Sequence, residues 1–225
     1  MGVVATYPTL RHDWLKHELD PQLFRKEITI LAGAGDLVTG TVMAQITEAG
    51  ATSAAKAGGN TGGGSLTLDG STPVLAAAIA GIYTVRCTAL AANGGVFEVK
   101  DPNGVVLGSY TIGGAAFATG IKFAMADSGT DFALGDGFDI TVAAGSNKWK
   151  KHVNGAINGT EVASGILLDA VDASGGSDVK GVIVTGQCEI ASLELTWDSS
   201  VDDSTKKNAA LAQLAKLGFV TRRLV

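Results

Sequence analysis

The chain is poor in the residues from which reactive or stapled sites are built. It has 2 cysteines, 3 histidines and 4 prolines in 225 residues. Cys87 and Cys188 stand far apart, too few for a disulfide framework or a zinc spacing, and read as buried thiols acting as small hydrophobes. Charged residues make up 17% and the net charge is -5. That balance excludes a broad phosphate-binding surface, so nucleic acid is not an expected partner. Long apolar runs are also missing. The longest, Val74 to Ile82, contains Gly81 and is too short to span a bilayer, so no membrane partner is expected. No basic, apolar leader ending in small residues opens the sequence.

What the chain has in excess is glycine, 31 residues, with 46% hydrophobic residues. Residues 57–146 hold 18 of those glycines, no tryptophan and no histidine, with 3 basic and 7 acidic residues. This stretch opens on Gly58-Gly59-Asn60-Thr61-Gly62-Gly63-Gly64, a flexible linker by composition. Short alternating segments follow: Tyr83, Val85 and Cys87 on one face, then Phe97 and Val99, Val105 to Thr111, Ile121 to Met125, and Phe138 to Val142. Turn sequences such as Asp101-Pro102-Asn103-Gly104 separate them. Short strands between turn signals predict a β-sandwich.

The flanks read differently. Residues 1–26 form an irregular arm in which Leu10, Trp14, Leu15 and Leu19 have roughly helical spacing up to Asp20-Pro21. Residues 27–56 and 147–225 together form a discontinuous core. Its expected strands are Arg25 to Leu31, Val42 to Ile46, an exposed Lys148 to Val153, Gly165 to Val171, Val179 to Val184, Gln187 to Leu195 and Phe219 to Leu224. One helix starts at Ser204, capped by Asp203 or Ser204, with Ala210, Leu211, Leu214 and Leu217 on one face and Gly218 as its left-handed terminator. The fold class is therefore mainly β: a β-rich α+β core with one clear C-terminal helix, plus an inserted glycine-rich β-sandwich-like domain at 57–146.

No catalytic constellation emerges, and neither a cofactor nor a metal site is expected. Gly33-x-Gly35 follows a strand but lacks the third glycine and leads into another strand, so it reads as a turn. The run from Gly58 to Gly64 lacks the Gly-Lys-Ser/Thr of a phosphate loop. His12 and His17 miss the one-turn spacing of a metal pair, and His152 lies among lysines. The acidic turns around Asp127, Asp131, Asp136 and Asp139 fail the calcium-loop spacing and read as solvated. Asp202-Asp203 sit at a helix start, where capping explains them. Asn158-Gly159-Thr160 reads as a turn. The chain is not expected to be an enzyme.

Trp14, in the arm with Tyr7, Pro8, Leu10 and Leu15, admits two readings. The arm docks on a partner, or it packs back on its own domain.

The flanks resemble the lambda-like phage head decoration proteins. The resemblance rests on Gly40 to Thr47 (GTVMAQIT), Asn158 to Leu168 (NGTEVASGILL), Val171-Asp172-Ala173, Val182 to Gly186 (VIVTG) and Leu211 to Val220 (LAQLAKLGFV), in that order. It implies a homotrimeric cement protein on the outside of the expanded capsid, at three-fold and quasi-three-fold positions. Such a protein clamps the major capsid protein against DNA pressure. The same resemblance makes residues 1–26 the segment that becomes ordered on the capsid, with Tyr7, Pro8, Leu10, Trp14 and Leu15 as its contacts. The alternative reading is a virion-surface protein that binds host carbohydrate through the insert, with Tyr83, Tyr110 and the acidic loops as a shallow site.

Overall fold

A computed structural model describes residues 13–222. The chain forms two compact units. The first comprises the described residues up to Gln45, Asn147–Ala156, and those from Thr160 on; the second comprises Ile46–Ser146 and Ile157–Gly159.

The first unit opens with β1 (Leu15–Glu18), a short helix α1 (Pro21–Phe24), β2 (Arg25–Ile30), β3 (Gly35–Leu37) and β4 (Val42–Gln45). The second holds β5 (Glu48–Ala55), β6 (Gly64–Leu68), β7 (Gly81–Ala89), β8 (Val96–Lys100), β9 (Val106–Thr111), β10 (Phe117–Thr119), β11 (Ile121–Asp127) and β12 (Gly137–Ala144). The chain then returns to the first unit with β13 (Trp149–Lys151), β14 (Gly165–Leu167), β15 (Val171–Ala173), β16 (Val179–Val184), β17 (Cys188–Ala191), helix α2 (Ser204–Lys216) and β18 (Phe219–Arg222). The fold is mainly β with one long helix near the C-terminus, as the alternation predicts.

In the first unit, strands β13, β2, β16, β14 and β4 close into a small barrel. Ile28, Ile30, Met43, Trp149, Leu167 and Ile183 of these strands pack into one core, joined by Leu37 and Ala173 of the two-stranded sheet β15-β3. Closure on itself leaves no sheet edge to cover. A second sheet, β1-β17-β18, shares a core with α2 that is built on Trp14, Ile166, Ile190, Leu214 and Phe219. Asp203 caps α2 by accepting the Lys206 N–H at 2.8 Å, and Gly218 takes the expected positive φ of 89°. Ala210 and Leu214 are buried, whereas Leu217 lies past the last helical turn and is exposed.

The second unit packs the sheet β5-β12-β7-β8-β9 with the sheet β10-β11-β6. Tyr83, Val85, Phe97, Val99, Ile121, Phe123, Phe138 and Ile140 fill the space between them. The rings of Phe97 and Phe132 meet edge to face with centroids 5.1 Å apart. The strand alternation read from the sequence thus places the core correctly.

Four local expectations are corrected. Residues 15–18 form a strand, not helical turns, because β1 pairs with β17 from Leu15↔Ile190 to Glu18↔Cys188. Tertiary pairing overrides the spacing of the leucines. Residues 48–55 are not part of the first unit, because β5 pairs along its length with β12. Lys148 to Val153 is not simply an exposed strand. Trp149 and His152 are buried within it, and β13 is a member of the barrel.

Finally, the run Gly58 to Gly64 is not a free linker. The buried carboxylate of Asp136 accepts the N–H groups of Thr61 (3.0 Å), Gly62 (2.8 Å) and Ala133 (2.9 Å). Lys56 lies 3.9 Å away. A side chain at Gly62 would collide with the Asp131 backbone, and one at Gly64 with the Phe132 ring. Glycine serves here for close approach, not for mobility.

Two predictions follow from these buried groups. Burial opposes ionisation of Asp136, but the N–H groups of Gly62, Thr61 and Ala133, with Lys56, outweigh it and hold the carboxyl below its ordinary range. Its contribution is therefore complete above about pH 4 and is lost as the pH falls through the depressed value. Asp136→Ala leaves three donors without their acceptor and should cost about 2–4 kcal/mol, read from urea unfolding at pH 7. A loss under about 0.5 kcal/mol, the range of an inert surface change, would remove Asp136 as the clasp.

His152 behaves in the opposite chemical sense. Burial lowers its pKa and outweighs the Glu161 carbonyl and the Asp198 and Glu161 charges, which raise it. Its ring nitrogen Nε2 lies 3.0 Å from the Glu161 carbonyl. The neutral ring is the folded form, so stability is complete above about pH 6.5 and declines as the pH falls through the lowered value. The wild-type unfolding midpoint should drop between pH 7.5 and 5, and the drop should be smaller in His152→Gln. Parallel pH profiles would contradict this.

Candidate functional site

The chemistry-bearing residues scatter in the structure and do not converge. The thiols of Cys87 and Cys188 are free and buried. Burial, with the nearby Glu18 charge adding to it, pushes Cys188 up to about 12, which makes it a poor nucleophile. Gly33 and Gly35 both have positive φ and form the predicted turn. His12 lies outside the described residues, and His17 is exposed. Among the described residues no three His, Cys, Asp or Glu side chains are placed to share a metal ion, and no helix is long and apolar enough to cross a membrane.

The acidic turns are not simply solvated. Asp136 holds the glycine run, Asp131 accepts the Asn93 N–H at 2.7 Å, and Asp139 pairs with Arg86. The two tyrosines offered for a sugar platform are core residues, so that site is not formed by them. Tyr83 is buried with its hydroxyl accepting the Ile79 N–H at 2.9 Å. Tyr110 is buried with its hydroxyl accepting the Met125 N–H at 3.0 Å.

The N-terminal candidates divide at residue 13. Tyr7, Pro8 and Leu10 lie outside the described residues. Trp14 and Leu15 do not belong to a separate arm. Trp14 is 1% exposed and sits in the core of the first unit. Its indole N–H donates to Thr39 Oγ1 at 3.0 Å, and Thr39 in turn donates to the Leu168 carbonyl at 2.7 Å. The Trp14 carbonyl accepts the Ala191 N–H at 2.7 Å.

Gly40 makes this seat possible. It has a φ of 77°, and a Cβ there would come within 2.9 Å of the indole. The chain prefers burial because a free indole would expose a large apolar area, whereas here both the ring and its N–H are satisfied. Of the two readings open for Trp14, the structure shows the one in which it packs on its own unit. Leu15 is half-buried against the same cluster.

Two polar devices fix the segment that follows. Glu18 and Arg25 form a two-point ion pair, with contacts of 3.0 Å and 2.7 Å to one carboxylate oxygen. Asp20 accepts the Gln22 N–H at 2.9 Å and so opens α1. Residues 14–26, assigned from sequence to the arm, are thus structural parts of the first unit. The sequence reading missed the Thr39–Gly40 seat. Its only signal was the Thr39-Gly40 pair following an apolar strand, which also fits an ordinary turn.

The same region exposes apolar side chains. Leu19 and Val220 are more than half exposed. They line a shallow groove of about 300 Å³ with His17, Gln187, Glu189 and Gly218.

The model of the family described as bacteriophage lambda head decoration protein D matches residues 4–219. No curated protein matches. Two solved structures of Xanthomonas campestris FlgL match with a TM-score of 0.30 each. They are 23% and 21% identical, over 51% and 58% of this chain. The chain spans 34% of each of those FlgL chains, and at this TM-score the likeness carries no argument. Segments that carry the sequence resemblance fall on structural elements of the first unit: VMAQ on β4, GIL on β14, VIV on β16 and LAQLAK on α2. With the match running over nearly the whole sequence, the chain belongs to the bacteriophage lambda head decoration protein family.

Proposed function

We propose that this chain is a homotrimeric cement protein. It binds the outer surface of an expanded phage head at three-fold and quasi-three-fold sites and stabilises the shell against the pressure of packaged DNA. Capsid decoration comes with the family, and the family match over residues 4–219 is the observation that carries the reading. The major capsid protein and two further copies of this chain are the partners. The contact segment is the stretch before Asp13, with Tyr7, Pro8 and Leu10 as its apolar anchors.

The structure supports this assignment through the anchor of that stretch. Trp14, seated under Gly40, fixes the point at which the N-terminal residues join the first unit. A segment tied to a rigid body loses less freedom on docking than a free peptide does. Three such segments on one trimer bind with avidity well beyond one, because the second and third contacts become intramolecular. A closed barrel suits the role of a clamp, since it presents no open edge that would pair with neighbouring chains.

The test is a truncation placed with the structure in mind. Removing residues 1–12 leaves Trp14 and β1 in place. The shortened protein should keep its far-ultraviolet circular dichroism, melting temperature and trimeric mass in light scattering. Its binding to expanded heads, measured by co-sedimentation, should fall by at least about tenfold. Decoration at full-length affinity would show that the contact lies elsewhere. A cut through residue 20 is not equivalent, because it also removes the Trp14 side chain from the core.

A further inference from the structure

The second unit holds a cavity of about 480 Å³ whose wall includes Ile46, Glu48, Pro73, Val74, Ile157 and Asn158. Backbone ties set that wall before any ligand arrives. The Asn158 carbonyl accepts the N–H groups of Thr47 at 3.0 Å and Glu48 at 3.3 Å, and the Thr47 carbonyl accepts the Gly145 N–H at 2.8 Å. The Pro73 carbonyl accepts the Lys122 N–H at 2.9 Å, and Val74 bridges to Ile121. A Cβ at Gly145 would collide with the Ile46 carbonyl, so the missing side chain is what lets these backbones meet.

Glu48 is the charged residue on this wall. It is 9% exposed, and no lysine or arginine lines the cavity. Its Oε2 accepts the Thr47 hydroxyl at 2.5 Å, the one hydrogen bond that the carboxylate makes among the described residues. The other oxygen, Oε1, is unpaired but not shut away, because the buried side-chain atoms without partners are those of Asp127 and His152. Oε1 thus keeps access to solvent from a residue nine-tenths buried on the cavity wall. A preformed apolar cavity with one open, directed polar group is the general form of a small-ligand site. A carboxylate oxygen among apolar side chains is costly until a donor meets it.

We propose that this cavity binds a primary ammonium carried on an apolar stem, with Glu48 Oε1 as its anchor. The ammonium supplies the donors that Oε1 lacks and forms a charge-assisted hydrogen bond with it. The stem covers Ile46, Pro73, Val74 and Ile157 and takes their apolar surface out of water. The carboxylate repels an anion. A bare metal ion would meet apolar side chains where it needs further oxygen ligands. A free alkylamine and a lysine side chain of a partner present the same chemistry, and the experiment separates them.

The experiment titrates pentylamine into the full-length protein and follows binding by saturation-transfer NMR. Dissociation should lie near about 1 mM, as expected of one charged contact and a short stem. Pentanol, the same stem without the charge, should bind at least about tenfold more weakly. Glu48→Gln keeps an acceptor for the Thr47 hydroxyl. It should weaken pentylamine at least about tenfold and leave pentanol unchanged, a split that a merely structural role would not produce. A second variant, Ala49→Phe, adds bulk at an exposed position of the wall and should weaken both ligands. Nα-acetyl-lysinamide binding as well as pentylamine supports the site with a partner's lysine as occupant; weaker binding supports it with a free amine. Pentylamine binding no better than pentanol, or binding unchanged in Glu48→Gln, would overturn the proposal and leave solvent as what meets Oε1. Should Glu48→Gln fail to fold, the pentanol comparison and Ala49→Phe decide.

Discussion

The first unit depends on one pairing made across a very long gap. Strands β4 and β13 run antiparallel, with Trp149↔Gln45, Lys150↔Ala44 and Lys151↔Met43 in register. The Gln45 side chain reinforces their ends by donating to the Asn147 carbonyl at 2.9 Å. About one hundred residues separate these strands in sequence, yet without their contact the barrel has two open edges and Trp149 has no wall to pack against. Closing so long a loop carries an entropy cost that grows only with the logarithm of its length. That slow growth is the physical licence for a whole folded unit to stand between two neighbouring strands.

Trp14 extends the same logic to the front of the chain. Its indole occupies a seat formed by Thr39 and Gly40, and its carbonyl joins β17. A buried indole whose N–H and backbone carbonyl are both paired fixes its segment to the rest of the unit. In this family member the tryptophan thus belongs to the scaffold of the first unit.

Glycine plays two different physical parts in the chain. At Gly40 and Gly218 it supplies a positive φ that other residues adopt only with strain. At Gly62 and Gly64 it supplies the absence of a side chain, so that backbone can lie against backbone and the Asp136 carboxylate can reach the N–H groups. Composition cannot separate these uses from flexibility, because all three appear as a run of glycines. The acidic turns pose the same difficulty. Asp127, Asp131, Asp136 and Asp139 look alike in sequence but end as an orphan, a loop tie, a buried clasp and an ion-pair partner.

The sequence by itself determined what is local. Alternation at β7, β8, β11 and β12 follows from the two faces of a strand. The cap and terminator of α2 follow from Asp203 and Gly218, and the turn at Asp101–Gly104 follows from its own residues, because Asp101 accepts the Asn103 and Val105 N–H groups. Even the family could be read, since its segments keep their order around the interruption. Tertiary structure alone decided whether Trp14 was free or buried, whether the glycine run was loose or clasped, and to which unit residues 48–55 belong. Each of those outcomes is set by a group 25 or more residues distant, as with Trp14 and Thr39 or Thr61 and Asp136. A residue's own neighbours in sequence carry no record of what the folded chain will bring against it.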